Sequence, residues 1–547
     1  MRVPSPIIDD HDEHDHDPTP LRLVAPDLGA NRARDRRLSR RIFIGAAIGG
    51  TAATGLTGVA SAADPDPFTL GVASGDPSTD GMVLWTRLAV DPLAEDGLGG
   101  MGARRSTVRW QLSSDEDFAT VLRSGTVATG PAQGHAVHIE VDGLKPDRWY
   151  YYRFRTGNHV SPTARTRTLP AADSTKPLHA IAVSCAHYES GWFTAYHHAA
   201  QEDPDLVFAL GDYIYEGAGV EGRTRVHPGS TCVSLADYRR RYALYKAEVE
   251  TQELHHVAPW VVTWDDHEVQ DNWAGIHPKD GVPTDAFEAR RTAAYQAYYE
   301  NMPLRRRSKP NGASLDLYRR LSWGTTADLH ILDTRQYRDL QVCHDGGKTW
   351  WFSDCPERDD PDRTMLGNAQ TDWLLDGLAS SQATWQVLAQ GVFFSHRDIS
   401  EGPTETLAAD GWDGYRVNRN LVRDSWVEAG HTNATVLTGD VHAAFANEIK
   451  SDFDDPDSAT VGVELIATSV GSGNDGYEEN DSYQVVLDEN PHIKWINGRR
   501  GYLSVEWTQD LLTARYMAVP YISTPGAPLE LKRAYEIPAG DPGLNLA

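Results

Sequence analysis

Residues 205–217 read DLVFALGDYIYEG. Leu206, Val207, Phe208, Ala209 and Leu210 form an unbroken apolar run, the pattern of a strand buried on both faces. The run stops at Gly211-Asp212, with Tyr215 and Glu216 close behind. A buried strand that ends this way carries a carboxylate and a phenol to one rim of a sheet. Other apolar runs end similarly: HAIAVSC at Cys185, VVTWDDHE at Asp265, Asp266 and His267, LHILDTR at Asp333 and Arg335, and ATVLTGDVH at Asp440 and His442. In open α/β sheets the ligand site lies beyond the carboxyl ends of the strands, where groups distant in sequence meet. Each motif alone has a plainer reading: a turn, a packing aromatic, acids at a helix start or an inert buried thiol. Repetition at strand end after strand end points instead to a shared site that holds metal or phosphate.

The rest of the chain supports an α/β layer fold carrying an extra β domain. From 67 to 169 the pattern has period two: Val108, Trp110 and Leu112 share one face of STVRWQLS, and Tyr150, Tyr152 and Phe154 share one face of WYYYRFR. These strands and their Gly, Pro and Asp turns predict an N-terminal all-β sandwich of immunoglobulin or fibronectin type over 63–170, ending in the linker LPAADSTKP. A catalytic α/β domain is expected over 176–525, where apolar strands alternate with helical stretches such as DAFEARRTAAYQAYYE, followed by a tail at 526–547.

A chain of 547 residues is too long for one core, and a net charge of −27 argues against a nucleic-acid-binding surface. Any anionic substrate must be drawn by something local, such as bound cations. Residues 1–62 read as an export signal behind a disordered extension that includes the tract DDHDEHDHD. Ser39-Arg40-Arg41-Ile42-Phe43-Ile44 resembles a twin-arginine signal, followed by a Gly/Ala-rich apolar segment and Ala60-Ser61-Ala62. The twin-arginine machinery is the implied partner, the implied location is outside the cytoplasm (periplasm or cell wall), and no membrane span is expected in the mature protein. Of the four cysteines, Cys343 and Cys355 make the expected bridge, while Cys232 has no evident partner if Cys185 has another job.

The motifs SCAHYESGW, ALGDYIYEG, TWDDHEVQDNW, LDTRQYRD and GDVH resemble those of the PhoD-like alkaline phosphatases. These are relatives of the calcineurin-like and purple acid phosphatase metallophosphoesterases. The resemblance covers roughly 65 to 520 and departs from the wider superfamily at three places. Ser184-Cys185 replaces the usual Asp-x-His, Asp265-Asp266-His267-Glu268 replaces Gly-Asn-His-Glu, and Gly439-Asp440-Val441-His442 replaces Gly-His-x-His. It implies a four-layer α/β/β/α catalytic domain, one Fe³⁺ and Ca²⁺ ions. Carried over, Cys185, Asp212, Tyr215 and His442 would hold iron, with Asp212 bridging to calcium held by Asp265, Asp266, Asn272 and Asp440.

The donor types agree with that division. A thiolate and a phenolate with a carboxylate and an imidazole suit Fe(III), with Zn²⁺ as a substitute, and hard oxygen donors suit Ca²⁺ or Mn²⁺. The expected activity is hydrolysis of a phosphate ester by two-metal activation of water. His267 is the candidate proton donor to the leaving oxygen. Arg335 is either a phosphate clamp or a structural ion pair with a nearby acid, and His187, His396 and Asp413 are further polar groups for the cleft. A phosphodiesterase or phospholipase D-like hydrolase would use the same motifs. A non-catalytic exported metal-binding protein would instead need closed coordination with no open position.

Overall fold

The computed structural model describes residues 64–278, 282–343 and 350–547. The proposed export signal at 1–62 and the His/Asp tract lie outside the described residues.

Two sheets make the centre. Leu178–Val183, Leu206–Leu210 and Trp260–Thr263 pair in parallel in the middle of a ten-stranded sheet. A seven-stranded sheet is built around parallel Ala327–Ile331, Trp385–Ala389, Ala434–Thr438 and Thr460–Ile466. Alternation along each strand explains the layering. Ala180, Ala182, Phe208 and Leu210 face across to Leu329, Ile331, Val387 and Leu437 of the second sheet, forming the core between them. Ile181, Val183, Val207 and Ala209 point the other way, into a core with Tyr196, Tyr242, Leu254 and Tyr295. Those residues belong to helices Thr194–Gln201, Leu235–Lys246, Val249–Val257 and Thr284–Asn301. Leu388 and Val436 pack outward on helices Asn368–Ser380 and Arg416–Ala429. The order is helix, sheet, sheet, helix. Both faces of each central strand are covered, which is why these runs are continuously apolar.

The N-terminal strands depart from the separate domain expected at 63–170. Ser106–Ser113, Val121–Thr129, Trp149–Thr156, His159–Val160 and Ala164–Arg167 form their own five-stranded sheet. It packs through Val108, Leu112, Tyr152 and Phe154 onto Val72, Leu84 and Ile139. The opposing layer, however, is the edge of the ten-stranded sheet, because Val72–Gly75 pairs with Trp260–Thr263 at Gly75↔Trp260. A Cβ at Gly75 would stand 2.6 Å from the Trp260 carbonyl and 2.7 Å from Pro303, so only glycine permits this join. Residues 66–547 form one compact unit.

Residues 526–547, read as a tail, contain two strands. Glu530–Pro538 pairs with Leu511–Val519, and Asn545–Leu546 pairs with Glu530–Pro538 at the edge of the large sheet. Alternate residues Tyr535 and Ile537 are buried there, so this short segment is an amphipathic edge strand and not a tail. Cys343 and Cys355 are joined in a disulfide, and Cys185 and Cys232 are free and buried. Among the described residues no helix is long and apolar enough to cross a membrane.

Candidate metal centre

The five strand ends meet. Five of the eight predicted ligands, Cys185, Asp212, Asn272, Asp440 and His442, have φ between 49° and 65°. Non-glycine residues visit this left-handed region rarely and at a cost in strain, and such residues cluster at functional sites. For Cys185, Asp212, Asp440 and His442 this conformation falls within four residues of the strand's end. Gly211 has φ of 112°, and a Cβ on it would lie 2.4 Å from Cβ of Asp265, so glycine lets two ligand turns stack in contact.

Three overlapping sets of donor atoms result, each with all atoms within 4.8 Å of one another. They are Cys185 with Asp212 and His442, Asp212 with Asp266 and His267, and Asp265 with Asp266 and Asp440. Asp212 belongs to the first two, the position expected of a bridging carboxylate. The Tyr215 hydroxyl lies 3.1 Å from Asp212 Oδ2 and 3.0 Å from His442 Nε2, so it joins the first set. The Asn272 backbone N–H donates to Asp266 Oδ2 at 2.5 Å, which brings that residue beside the second.

The electrostatics of the set call for a cation. Burial, then Asp212, pushes the Cys185 thiol and the Tyr215 phenol well above their ordinary values. Burial and Asp266 do the same to Asp212, and burial lifts Asp265 to about 6. Four acidic side chains crowded out of water are mutually destabilising when ionised. A multivalent cation removes that conflict and lets them ionise as ligands. Asp265 Oδ2 is buried with no hydrogen-bond partner, and Asp265 stands in the donor set with Asp266 and Asp440. An orphaned carboxylate oxygen in this setting fits a metal ligand.

A second layer holds these groups in place. Glu268 is fully buried and accepts the N–H groups of Asp212 at 3.0 Å, Tyr213 at 2.6 Å and Asp265 at 3.0 Å. It therefore clamps two ligand turns together. Ser472 donates to the Tyr215 hydroxyl at 2.6 Å and to the Cys185 carbonyl at 3.1 Å. Glu216 Oε2 sits 2.7 Å from Nδ1 of His267. Glu216 and Glu268 stand inside the motifs that mark the site, where a carboxylate next to a ligand was the available signal.

His267 sits over the Tyr215 ring at 4.1 Å and keeps its side chain 17% exposed. Burial works against its charge, but Asp266, Glu216 and Asp212 outweigh burial and hold the imidazolium well above its ordinary pKa. Burial likewise opposes ionisation of Glu216, yet His267 and Arg290 bring it down to about 2. The pair stands at a partly open position of the cluster, as Asp440 and His442 also do.

Arg335 takes the structural alternative. Its side chain is 0% exposed, its Nε donates to Asp265 Oδ1 at 2.5 Å, and its terminal nitrogens reach Asp410 at 2.8 and 3.0 Å. A guanidinium so enclosed orients a ligand carboxylate and does not clamp phosphate in this arrangement. His187 packs 4.5 Å from the Tyr215 ring, behind the first donor set. His396 and Asp413 pair with each other at 3.1 Å and belong to none of the three donor sets.

Comparisons with known proteins identify the family. Residues 51–170 match the model of the PhoD-like phosphatase N-terminal domain, and residues 180–516 match the PhoD-like phosphatase model. The chain is 44% identical over 485 residues to alkaline phosphatase D of Bacillus subtilis (strain 168), covering 88% of this chain and 82% of that protein. A solved structure of PhoD superposes with a TM-score of 0.86 at 42% identity, covering 89% of this chain and 93% of the other. The matches span both halves of the chain, and the strand-end donors lie inside the matched region: this chain belongs to the PhoD-like phosphatase family and is a phosphoric ester hydrolase.

Proposed function

We propose that the protein is an exported, metal-dependent phosphoesterase of the alkaline phosphatase D type. The observation that carries the metal dependence is the meeting of Cys185, Asp212 and His442, donors from three strands, with their ligand atoms within 4.8 Å. In this reading Cys185, Asp212, Tyr215 and His442 would hold Fe³⁺. Asp265, Asp266, Asn272 and Asp440 would hold Ca²⁺, with Asp212 placed to serve both sets. A soft thiolate beside a phenolate favours iron over calcium, and the all-oxygen set favours calcium. When bound, such cations supply Lewis acidity that activates water and offsets charge on a phosphoryl group.

The protein's own groups do the rest. His267, held by Glu216 and partly open, donates a proton to the leaving oxygen. Arg335 keeps Asp265 turned toward the cluster, and Glu268 fixes the spacing of the Asp212 and Asp265 turns. Export by the twin-arginine route would deliver the protein already folded, with its buried ligands loaded.

Elemental analysis of protein purified from its native export route tests the metals. Iron and calcium in stoichiometric amounts, loss of activity on chelation and recovery with added Ca²⁺ are expected. Protein that is fully active without iron would refute the iron set. Relative rates on a phosphomonoester and a bis-ester define the leaving-group class. Replacing Arg40 and Arg41 by lysine should trap the chain in the cytoplasm, and unchanged export would refute the route.

A further inference from the structure

The outer face of the five-stranded sheet carries a shallow groove lined by Arg109, Gln111, Ser124, Thr126, Arg153 and Arg155. Register explains the grouping. Arg109 lies directly opposite Arg155, and Gln111 directly opposite Arg153, on neighbouring antiparallel strands. Thr126 and Ser124 face the same two residues from the other side. Trp110 and Phe154 pack toward the core beneath and form the groove's floor, while the arginines, Gln111, Ser124 and Thr126 make its walls cationic and polar.

Like charges directly across an antiparallel pair repel, and a carboxylate neighbour is the usual remedy. None is supplied here. Arg153 donates to Gln111 Oε1 at 3.0 Å and lies over the Phe118 ring, and Arg155 donates to the Gly157 carbonyl at 3.3 Å. Among the described residues none of the three guanidinium groups has an acidic partner. This occurs in a chain with 78 acidic and 51 basic residues, where acids abound. A local cationic strip on so acidic a protein concentrates anions that the overall field repels. Guanidinium groups favour phosphate through paired N–H donors. Residues two apart on a strand are separated by about 7 Å, so the three arginines span more than one phosphate group.

We propose that this groove binds a polymer bearing phosphate groups along its backbone and holds it to the enzyme away from the metal centre. The inference rests on the phosphoesterase reading and narrows it, because a tethered polymer is a substrate presented repeatedly. A chain suits the groove better than a flat membrane does, because the arginines line a furrow along two strands. Nucleic acid is disfavoured because the rings nearest the arginines are covered: Phe118 and Phe154 are buried, and Trp110 and Tyr151 are half-buried.

The test uses the metal-loaded full chain and labelled short-chain inorganic polyphosphate, with excess inorganic phosphate present to fill the metal centre. Replacing Arg109, Arg153 and Arg155 together by glutamine should weaken polyphosphate binding roughly tenfold or more and flatten its salt dependence. Turnover of a small phosphomonoester should stay unchanged, which also reports that the variant is folded and that the phosphoesterase reading holds. The triple lysine variant should retain most of the binding. If the triple glutamine variant fails to fold, Arg109→Gln alone should still weaken binding severalfold. Unaltered polyphosphate affinity in the folded variants overturns the proposal. So does tighter arginine-dependent binding to anionic phospholipid vesicles or to a single-stranded oligonucleotide of matched charge. Loss of monoester turnover in the unmodified protein, with polyphosphate binding intact, would count against the phosphoesterase reading alone.

Discussion

The hydroxyl of Tyr215 lies 3.0 Å from Nε2 of His442, although 227 positions separate the two residues. The same oxygen reaches Asp212 at 3.1 Å and receives a hydrogen bond from Ser472 at 2.6 Å. The phenol is thus fixed from three sides at the rim where three strands end. Burial and Asp212 raise its pKa well above that of free tyrosine, so only a bound cation makes phenolate its resting form.

Tyr215→Phe therefore removes one anionic donor without emptying the space the ring fills. We expect metal affinity or activity to fall about 10- to 100-fold. Any visible charge-transfer absorption of the purified protein should disappear. An unchanged spectrum in the variant would show that the phenol is not a ligand.

Asp212→Asn removes the donor shared by two sets. Hydrolysis should drop by at least about a thousandfold, the scale of losing a central electrostatic group. In chelated protein the same change should raise the melting temperature, because it deletes a buried carboxylate held against Asp266. A metal-free variant less stable than the parent would contradict that account.

Arg335→Met leaves Asp265 buried without its cation, while Asp410 keeps Arg338. Breaking a buried pair costs about 3–5 kcal/mol, and chemical denaturation should show a loss of that order. Were Arg335 a phosphate clamp instead, stability would hold and only KM would rise.

Glu216→Gln should move the alkaline limb of the rate profile to lower pH. The reason is that His267 loses one of the carboxylates holding its proton. Turnover at the optimum should fall about tenfold or more. An unshifted limb would remove His267 from the role of proton donor.

His396 offers a stability test away from the metals. Burial lowers its pKa, but Asp413 outweighs burial and raises it from 6.5 to about 9. A raised folded pKa stabilises fully below the unfolded value of 6.5 and progressively less as pH climbs to about 9. Roughly 3 kcal/mol is the ceiling for that loss. Denaturation of His396→Gln should lack the decline seen in the parent between those pH values. A parent whose stability is flat across the range would show the pair to be energetically silent.

The donor types, the strands that carry them and the turn after each strand were legible in the sequence, because each depends on neighbouring residues. DLVFALGD announces a doubly buried strand and a carboxylate at its end without reference to anything distant. Several features came only with the tertiary structure: the membership of Asp212 in two donor sets, the enclosure of Arg335 by Asp265 and Asp410, and the hold of Glu268 on two turns. The join at Gly75 and the final edge strands came the same way. These depend on which surfaces are removed from water together. Desolvation and charge pairing act between groups that only the packed sheets bring within a few ångströms, so no local pattern encodes them.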